Sequence, residues 1–287
     1  MDAQSINQAA VIGAGTMGHG IAHSLAAAGI RTRLYDVDAA AAARGLSSIR
    51  ANLDKGVEKG KLTPEARDAA LALLESTGDL DAAIRGAQLV VEAVPEILDL
   101  KCSLFARISK NLGPEALLAS NTSSLPISKI AAASIHPERV VGMHFFNPVH
   151  LMKLVEVVRA EQSSQTAVRT ALDLGLRMGK DPIEVRDTPG FASSRLGLCI
   201  GLEAMRMVES GVASAEDIDK AMMLGYGFPM GPLRLTDLVG LDVRLGIALH
   251  LERELGARFE PPQILRDMVA AGKLGKKSGQ GFYAWPK

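Results

Sequence analysis

Residues 9–18 read Ala9-Ala10-Val11-Ile12-Gly13-Ala14-Gly15-Thr16-Met17-Gly18. A short apolar run ends in a Gly-x-Gly-x-x-Gly loop. A segment with helical spacing then continues to Ala28, and Gly29 stands where a helix C-terminus favours glycine. The three glycines have separate physical tasks. The first permits a tight turn, the second lets backbone approach a pyrophosphate, and the third lets helix lie close on strand. The helix start offers unpaired N–H groups and the positive end of its dipole to phosphate. A further strand-like run at 32–35 follows, closed by Asp36, which lies 18 residues after Gly18. An acid there accepts hydrogen bonds from an adenosine ribose diol and repels a 2′-phosphate. Gly13, Gly15, Thr16, Met17, Gly18 and Asp36 are therefore candidate cofactor-binding residues, and the cofactor they indicate is NAD rather than NADP. Arg31 and Arg33, near the start and end of that run, weigh the other way. A plain glycine turn with a surface aspartate is the alternative.

Outward from this motif, the first 187 residues alternate short apolar runs with helical segments. Strand-like runs lie at 9–12, 32–35, 89–94, 117–120, 140–145, 154–158 and 183–185. Such alternation predicts an α/β domain with a mainly parallel sheet. Residues 39–74 interrupt it with no strand candidate. Two helices are expected there, at 40–59 and 64–75, with Thr63 as N-cap and Pro64 at the first helical position. This hairpin reads as an insertion that the sheet does not need. Asp187-Thr188-Pro189-Gly190 punctuates the chain, and beyond it helices are expected at 191–210, 214–224, 231–252 and 261–271. The fold class is thus a Rossmann-like dinucleotide-binding domain with a helical-hairpin insertion (residues 1–187), followed by an all-α domain (188–287).

Composition sets outer bounds. A chain of 287 residues suits two domains, and 47% hydrophobic with 22% charged residues is ordinary for a globular protein. Thirty-two Lys plus Arg balance thirty-two Asp plus Glu. The basic footprint of a nucleic-acid or anionic-membrane binder is therefore missing. No apolar run approaches the roughly 18 residues of a membrane-spanning helix. The N-terminus lacks a basic region, so no signal peptide is expected. Cys102 and Cys199 form neither metal-ligand spacing nor a disulfide framework. No metal is expected, and a cytoplasmic location fits.

Ligands of open α/β sheets sit beyond the carboxyl ends of the strands. There the sequence places Pro95-Glu96, then Asn121-Thr122-Ser123-Ser124, then His144-Phe145-Phe146-Asn147-Pro148. Of the six histidines, His144 alone ends a strand amid aromatic residues beside a Pro-containing turn. Imidazole titrates near neutrality and can take a hydroxyl proton and return it. Glu156, an acid inside Leu154-Val155-Glu156-Val157-Val158, is the candidate partner, because a buried carboxylate must be paired. A solvent-facing glutamate on an edge strand is the other reading. Ser123 offers a hydroxyl to a substrate oxygen, or caps a helix beginning near Leu125, or both.

These stretches together resemble the L-3-hydroxyacyl-CoA dehydrogenase family, in its 3-hydroxybutyryl-CoA dehydrogenase form. The resemblance runs along essentially the whole chain. It rests on the glycine loop, Ala119-Ser120-Asn121-Thr122-Ser123-Ser124-Leu125, Gly142-Met143-His144-Phe145-Phe146-Asn147-Pro148 and Met152-Lys153-Leu154-Val155-Glu156-Val157. Asp187-Thr188-Pro189-Gly190-Phe191, Pro229-Met230-Gly231-Pro232-Leu233 and Lys276-Lys277-Ser278-Gly279-Gln280-Gly281-Phe282-Tyr283 extend it. It implies that His144 is the catalytic base, that Glu156 pairs with it, and that Ser123 contacts the 3-oxygen of an acyl-CoA substrate. It implies that Ala93, Glu96, Lys101 and Asn121 lie on the cofactor side and Asn147 on the substrate side. Lys55 and Lys59 match lysines that approach the CoA phosphates, although on charge pattern alone they read as a solvated helix face. The helical domain is implied to form a homodimer.

One position departs from the family pattern. Gly190-Phe191-Ala192-Ser193-Ser194-Arg195 carries Ser194 where an asparagine is usual. Serine is shorter and lacks the amide's paired donor and acceptor, which puts activity or substrate range in doubt. The implied reaction is reversible NAD-dependent oxidation of a (3S)-3-hydroxyacyl-CoA. The alternatives are oxidation of a free hydroxy acid or a sugar acid of the L-gulonate type, and a non-catalytic NAD-binding protein.

Overall fold

The glycine loop joins β1 (Gln8–Ile12) to α1 (Thr16–Ala27), and β2 (Arg31–Tyr35) returns beside β1 in parallel register. The computed structural model describes residues 2–286. After β2 come α2 (Ala39–Glu58), α3 (Pro64–Ala72) and β3 (Leu74–Thr77). Then follow α4 (Leu80–Ile84), β4 (Leu89–Glu92), α5 (Leu98–Ser109), β5 (Leu117–Ser120), α6 (Ile127–Ala132) and β6 (Val140–Phe145). β7 (Leu154–Arg159), α7 (Gln165–Arg177) and β8 (Asp181–Arg186) complete this part. Among the described residues, eight strands form one sheet in the order β3-β2-β1-β4-β5-β6-β7-β8. Neighbours run parallel except β6 and β7, which are antiparallel.

The central strands are apolar on both faces because helices cover both, as parallel sheets require. On one face Val11, Leu34, Val91, Ala119, Met143 and Val157 meet Ile21 and Leu25 of α1, Ile49 and Leu53 of α2, and Val168 and Leu174 of α7. Each such side chain contributes about 1.5–3 kcal/mol by leaving water. The order reverses direction at β1, from which β2 and β3 lie to one side and β4 onward to the other. That reversal opens the crevice typical of dinucleotide folds at the strand ends.

Three sequence expectations need correction here. The hairpin α2–α3 is not superfluous to the sheet: it is the crossover into β3, a strand the sequence pattern missed. Only Leu74 of β3 is buried. An edge strand is held by backbone bonds to one neighbour, so its apolar signal is weak, and helix α3 stops at Ala72 rather than 75. The run expected at 89–94 is strand only to Glu92, and Ala93 and Val94 belong to the loop beyond.

The chain divides into two compact units, Met1–Thr188 and Pro189–Lys287. The second contains α8 (Ser193–Glu209), α9 (Ala215–Tyr226), α10 (Pro232–Val239), α11 (Leu241–Leu255) and α12 (Gln263–Ala270). The helix expected at 231–252 is two helices, broken at Gly240, whose φ of 104° no L-residue adopts comfortably. Leu198, Leu202, Met205, Leu233, Leu241, Leu251 and Phe259 form its core. Two buried aspartates tie its C-terminal segment down. Asp237 accepts from the N–H groups of Phe282 and Tyr283 and from Trp285 Nε1, and Asp219 accepts from Leu233 N, Arg234 N and the Tyr283 hydroxyl.

Candidate active site

The glycine loop is shaped by what surrounds each glycine. Gly13 has φ 100°, and a Cβ there would meet the Ala93 carbonyl oxygen at 2.6 Å. A Cβ on Gly18 would strike the Gly13 carbonyl oxygen at 1.7 Å. At Gly15 the same construction meets nothing within 4 Å. The loop is thus closed against strand and helix at its ends and open at Gly15. Gly15 is the N-cap of α1, no side chain caps that helix, and its first turn holds no acid. Unpaired N–H groups beside open backbone fit a pyrophosphate. Thr16 is exposed in this first turn, whereas the Met17 side chain turns inward against the core.

Asp36 follows β2 and is part of the same loop. Its Oδ2 accepts from Ala14 N at 2.9 Å and its Oδ1 from Asp38 N at 3.1 Å. Each carboxylate oxygen retains a lone pair for a ribose hydroxyl. Arg31 and Arg33 do not draw charge toward this loop. Both reach Glu75 on β3, at 3.6 and 3.3 Å, and Arg33 also donates to the Arg85 carbonyl at 2.7 Å.

Beyond β4 and β5 a second network gathers. Glu96 Oε1 accepts from Thr122 Oγ1 at 2.5 Å and from Ser123 N at 2.9 Å. Thr122 Oγ1 in turn accepts from Leu125 N at 2.9 Å. Thr122 rather than Ser123 therefore shapes this turn. Ser123 does not cap α6: Asp187 does, accepting from Ile127 N at 3.1 Å and Ser128 N at 2.7 Å. Asn121 Oδ1 accepts from Phe145 N at 3.0 Å, which ties the end of β5 to the end of β6.

His144 and Glu156 meet because they are register partners on the antiparallel strands β6 and β7. Side chains directly opposite on such strands point to the same face about 5 Å apart. His144 Nδ1–H donates to Glu156 Oε2 at 2.7 Å; both residues are buried, Glu156 completely. β7 lies between β6 and β8, so the edge-strand reading of Glu156 falls. The Phe146 ring stands 4.5 Å from the imidazole, tilted by 48°. A carboxylate on Nδ1 sets the tautomer, and the ring then exchanges a proton through its other nitrogen.

The structure thus brings Gly13, Gly15, Gly18, Asp36, Ala93, Glu96, Asn121, Ser123, Asn147 and His144 to the strand ends of the sheet unit, with Glu156 facing His144. Other candidates are placed elsewhere. Lys101 is completely buried, with Nζ 2.6 Å from Glu92 Oε1, 3.2 Å from the Val94 carbonyl and 3.5 Å from Glu96 Oε2. It meets the loop beyond β4 at the Val94 carbonyl and Glu96, with its ammonium fully buried. Lys55 and Lys59 are exposed at the end of α2, and neither makes an ion pair among the described residues. Ser194 belongs to the second unit, in the first turn of α8.

Sequence reading missed Glu92, which is fully buried and also accepts from Ser120 Oγ at 2.6 Å and Val94 N at 2.7 Å. The signal was available: Leu89-Val90-Val91-Glu92 is an acid in an apolar strand, the same pattern that pointed to Glu156.

Comparison with known proteins gives a consistent picture. The family described as 3-hydroxyacyl-CoA dehydrogenase, NAD binding domain, matches residues 8–188. The family described as 3-hydroxyacyl-CoA dehydrogenase, C-terminal domain, matches residues 190–285. The chain is 44% identical to the 3-hydroxybutyryl-CoA dehydrogenase of Mycobacterium tuberculosis H37Rv, covering 98% of this chain and 99% of the relative. It is 42% identical to the mitochondrial hydroxyacyl-coenzyme A dehydrogenase of Mus musculus, over 98% of this chain and 91% of that protein. Among solved structures, the (S)-3-hydroxybutyryl-CoA dehydrogenase PaaH1 of Ralstonia eutropha superposes with a TM-score of 0.94 at 39% identity, covering 99% of this chain and 100% of that one.

Proposed function

Because the chain belongs to the 3-hydroxyacyl-CoA dehydrogenase family, we propose that it catalyses the reversible NAD-dependent oxidation of a (3S)-3-hydroxyacyl-CoA to the 3-ketoacyl-CoA, with 3-hydroxybutyryl-CoA as its substrate. The observation that carries this reading is the 2.7 Å contact between His144 and Glu156 at the strand ends that hold the glycine loop. In the oxidative direction His144 takes the proton of the 3-hydroxyl. Glu156 holds the ring in the accepting tautomer and balances the imidazolium that forms. Bound NAD supplies the acceptor for the hydride that leaves C3.

The remaining residues bind and orient. The open backbone at Gly15 and the first-turn N–H groups of Thr16 and Met17 receive the pyrophosphate, and Asp36 receives the adenosine ribose. Glu96, with Lys101 behind it, and Asn121 with Ala93 border the nicotinamide end. Ser123 donates to the 3-oxygen, and Asn147 stands on the substrate side. Ser194 supplies one hydroxyl where the family usually has an amide, so its hold on the substrate is weaker. Lys55 and Lys59 act on the CoA phosphates as solvent-exposed charges, without rigid docking.

The second unit is the dimerisation and substrate domain in this reading. Leu224, Tyr226 and Leu196 are 83%, 78% and 64% exposed on α9 and α8. Large apolar side chains left exposed on two helices suit an association surface, and we assign them to a homodimer. No helix among the described residues is long and apolar enough to cross a membrane. We place the enzyme in the cytoplasm, where Cys102 and Cys199 remain thiols.

The test is loss of NADH absorbance with acetoacetyl-CoA, run beside free acetoacetate. Rapid oxidation by the thioester alone is expected. Equal rates with the free acid, or none with either, would reject the reading. A faster reaction with NADPH would reject the role given to Asp36.

A further inference from the structure

Behind the loop that joins β6 to β7 lies a cavity of about 290 Å³, bounded by α1 and by the turn from α7 to β8. That volume is just below the range of drug-sized ligand sites, about 300–1,000 Å³, and suits a small ion. Its charged and titratable lining is His23, His150, Arg177 and Lys180, with no acid among the lining residues. The two cations spend themselves on neutral groups. Lys180 Nζ donates to the carbonyls of Val149 and Met152. Arg177 Nη1 donates to the carbonyls of Ala3 and Ile6, at 2.9 and 2.7 Å. Among the described residues neither cation makes an ion pair, and each side chain keeps further N–H donors.

The imidazoles tell the same story. His23 and His150 stack with ring centroids 5.1 Å apart and planes 14° from parallel. His23 is buried, and among the described residues its Nδ1 has no hydrogen-bond partner. A buried polar atom left unpaired costs free energy unless something else meets it. Burial first, then the charges of His150, Lys180 and His19, push the His23 pKa down to about 4. Burial, then Lys180 and His19, lower that of His150. Burial, then Lys153, lower that of Lys180. The charged groups around His23 are thus His19 on its own helix, His150 on the β6–β7 loop and Lys180 before β8, with Arg177 of α7 lining the same cavity and Lys153 acting on Lys180.

We propose that this cavity is a binding site for a tetrahedral oxyanion of the phosphate type, held by Arg177, Lys180 and the His23–His150 pair. The anion supplies the missing counter-charge and meets the unpaired His23 nitrogen. It also abuts the loop that joins β6 to β7, because His150 and the carbonyls that Lys180 holds lie on that loop, between His144 and Glu156. An occupied site steadies that loop. The site stands or falls independently of the reaction proposed above.

The experiment uses full-length protein with its histidines labelled at ¹³Cε1, saturated with NAD so that the glycine loop is filled. Sulfate is the first probe, since its charge does not change near neutrality. Sodium chloride of equal ionic strength is the control, and His23→Gln and His150→Gln assign the two resonances. Expected are joint, saturable shifts of both resonances in the millimolar range, with binding about tenfold tighter near pH 6 than near pH 8 because the anion draws a proton onto the pair. Arg177→Gln should weaken binding at least about tenfold, as loss of a charge-assisted bond does. If that variant fails to fold, His150→Gln carries the same expectation for the His23 resonance. Inorganic phosphate and glycerol 3-phosphate run in parallel distinguish a free ion from the phosphoryl group of a larger molecule. Resonances of His23 and His150 that stay put, or that follow sodium chloride equally well, would overturn the site.

Discussion

Two carboxylates are fully buried in strands of one sheet, and they serve different ends. Glu156 on β7 is answered by its register partner His144, and Glu92 on β4 by its register partner Ser120 together with Lys101. In each case strand pairing delivers the polar partner, and helices seal the pair from water. What differs is the partner's chemistry. An imidazole as a class exchanges protons near neutrality, which suits the first pair to the acid–base role proposed for it. A lysine and a hydroxyl hold their protons there, so the second pair locks β4, β5 and α5 together beneath Glu96. Burial alone therefore does not mark a reacting group; the titration range of the partner does.

Single substitutions in each pair should have opposite consequences. His144→Ala should lower kcat by about 100- to 10,000-fold with the fold intact, measured as NADH oxidation by acetoacetyl-CoA beside a circular-dichroism melt. Unchanged turnover would remove His144 from the reaction. Glu92→Gln should instead cost stability, at the lower end of about 3–5 kcal/mol, because it leaves a buried ammonium with only the part-exposed Glu96, 3.5 Å away, as counter-charge. Chemical denaturation reads that loss, and Glu92→Gln combined with Lys101→Met should recover most of it. A catalytic defect without a stability defect in Glu92→Gln would erase the distinction between the two pairs.

A third buried group adds to the contrast, since His23 Nδ1 has no hydrogen-bond partner among the described residues. Its pKa lies at about 4 in the folded chain, below the usual 6.5. The unfolded chain therefore binds more protons between those values. Stability is intact above pH 6.5 and falls as pH drops toward 4, by about 3 kcal/mol from this residue. His23→Leu should flatten that part of the stability–pH curve; an unchanged curve would mean that His23 titrates normally. The smallest effect belongs to the most exposed charges. Lys55→Ala with Lys59→Ala should raise KM for the CoA thioester about three- to tenfold with kcat unchanged, and added salt should shrink the difference. An undiminished KM effect at high salt would argue for a buried contact instead.

Much of this was legible in the chain itself. The glycine loop, the alternation of strands and helices, His144 at a strand end and Glu156 within an apolar run are local patterns, and local patterns survive in sequence. The break between the units was marked by Asp187-Thr188-Pro189-Gly190. The edge strand β3 was not legible, because backbone bonding to β2 specifies it and apolar side chains hardly do. Nor was the break at Gly240, since the apolar spacing continues on both sides of a single residue with positive φ. The role of Thr122 in the Ser-rich turn was likewise hidden among three adjacent hydroxyl residues.

Residue types, their spacing and the order of the motifs determine the fold class and point to the candidate cofactor loop and the His144–Glu156 pair, because each depends on neighbours a few positions away. Only the tertiary structure decided that Glu92 shares Lys101 with Glu96, that Asp187 caps α6, and that His23, His150, Arg177 and Lys180 surround one cavity. Those groups come from separate strands, helices and turns, and nothing in linear spacing records which of them the packing of α1 and α7 on the sheet will bring within reach.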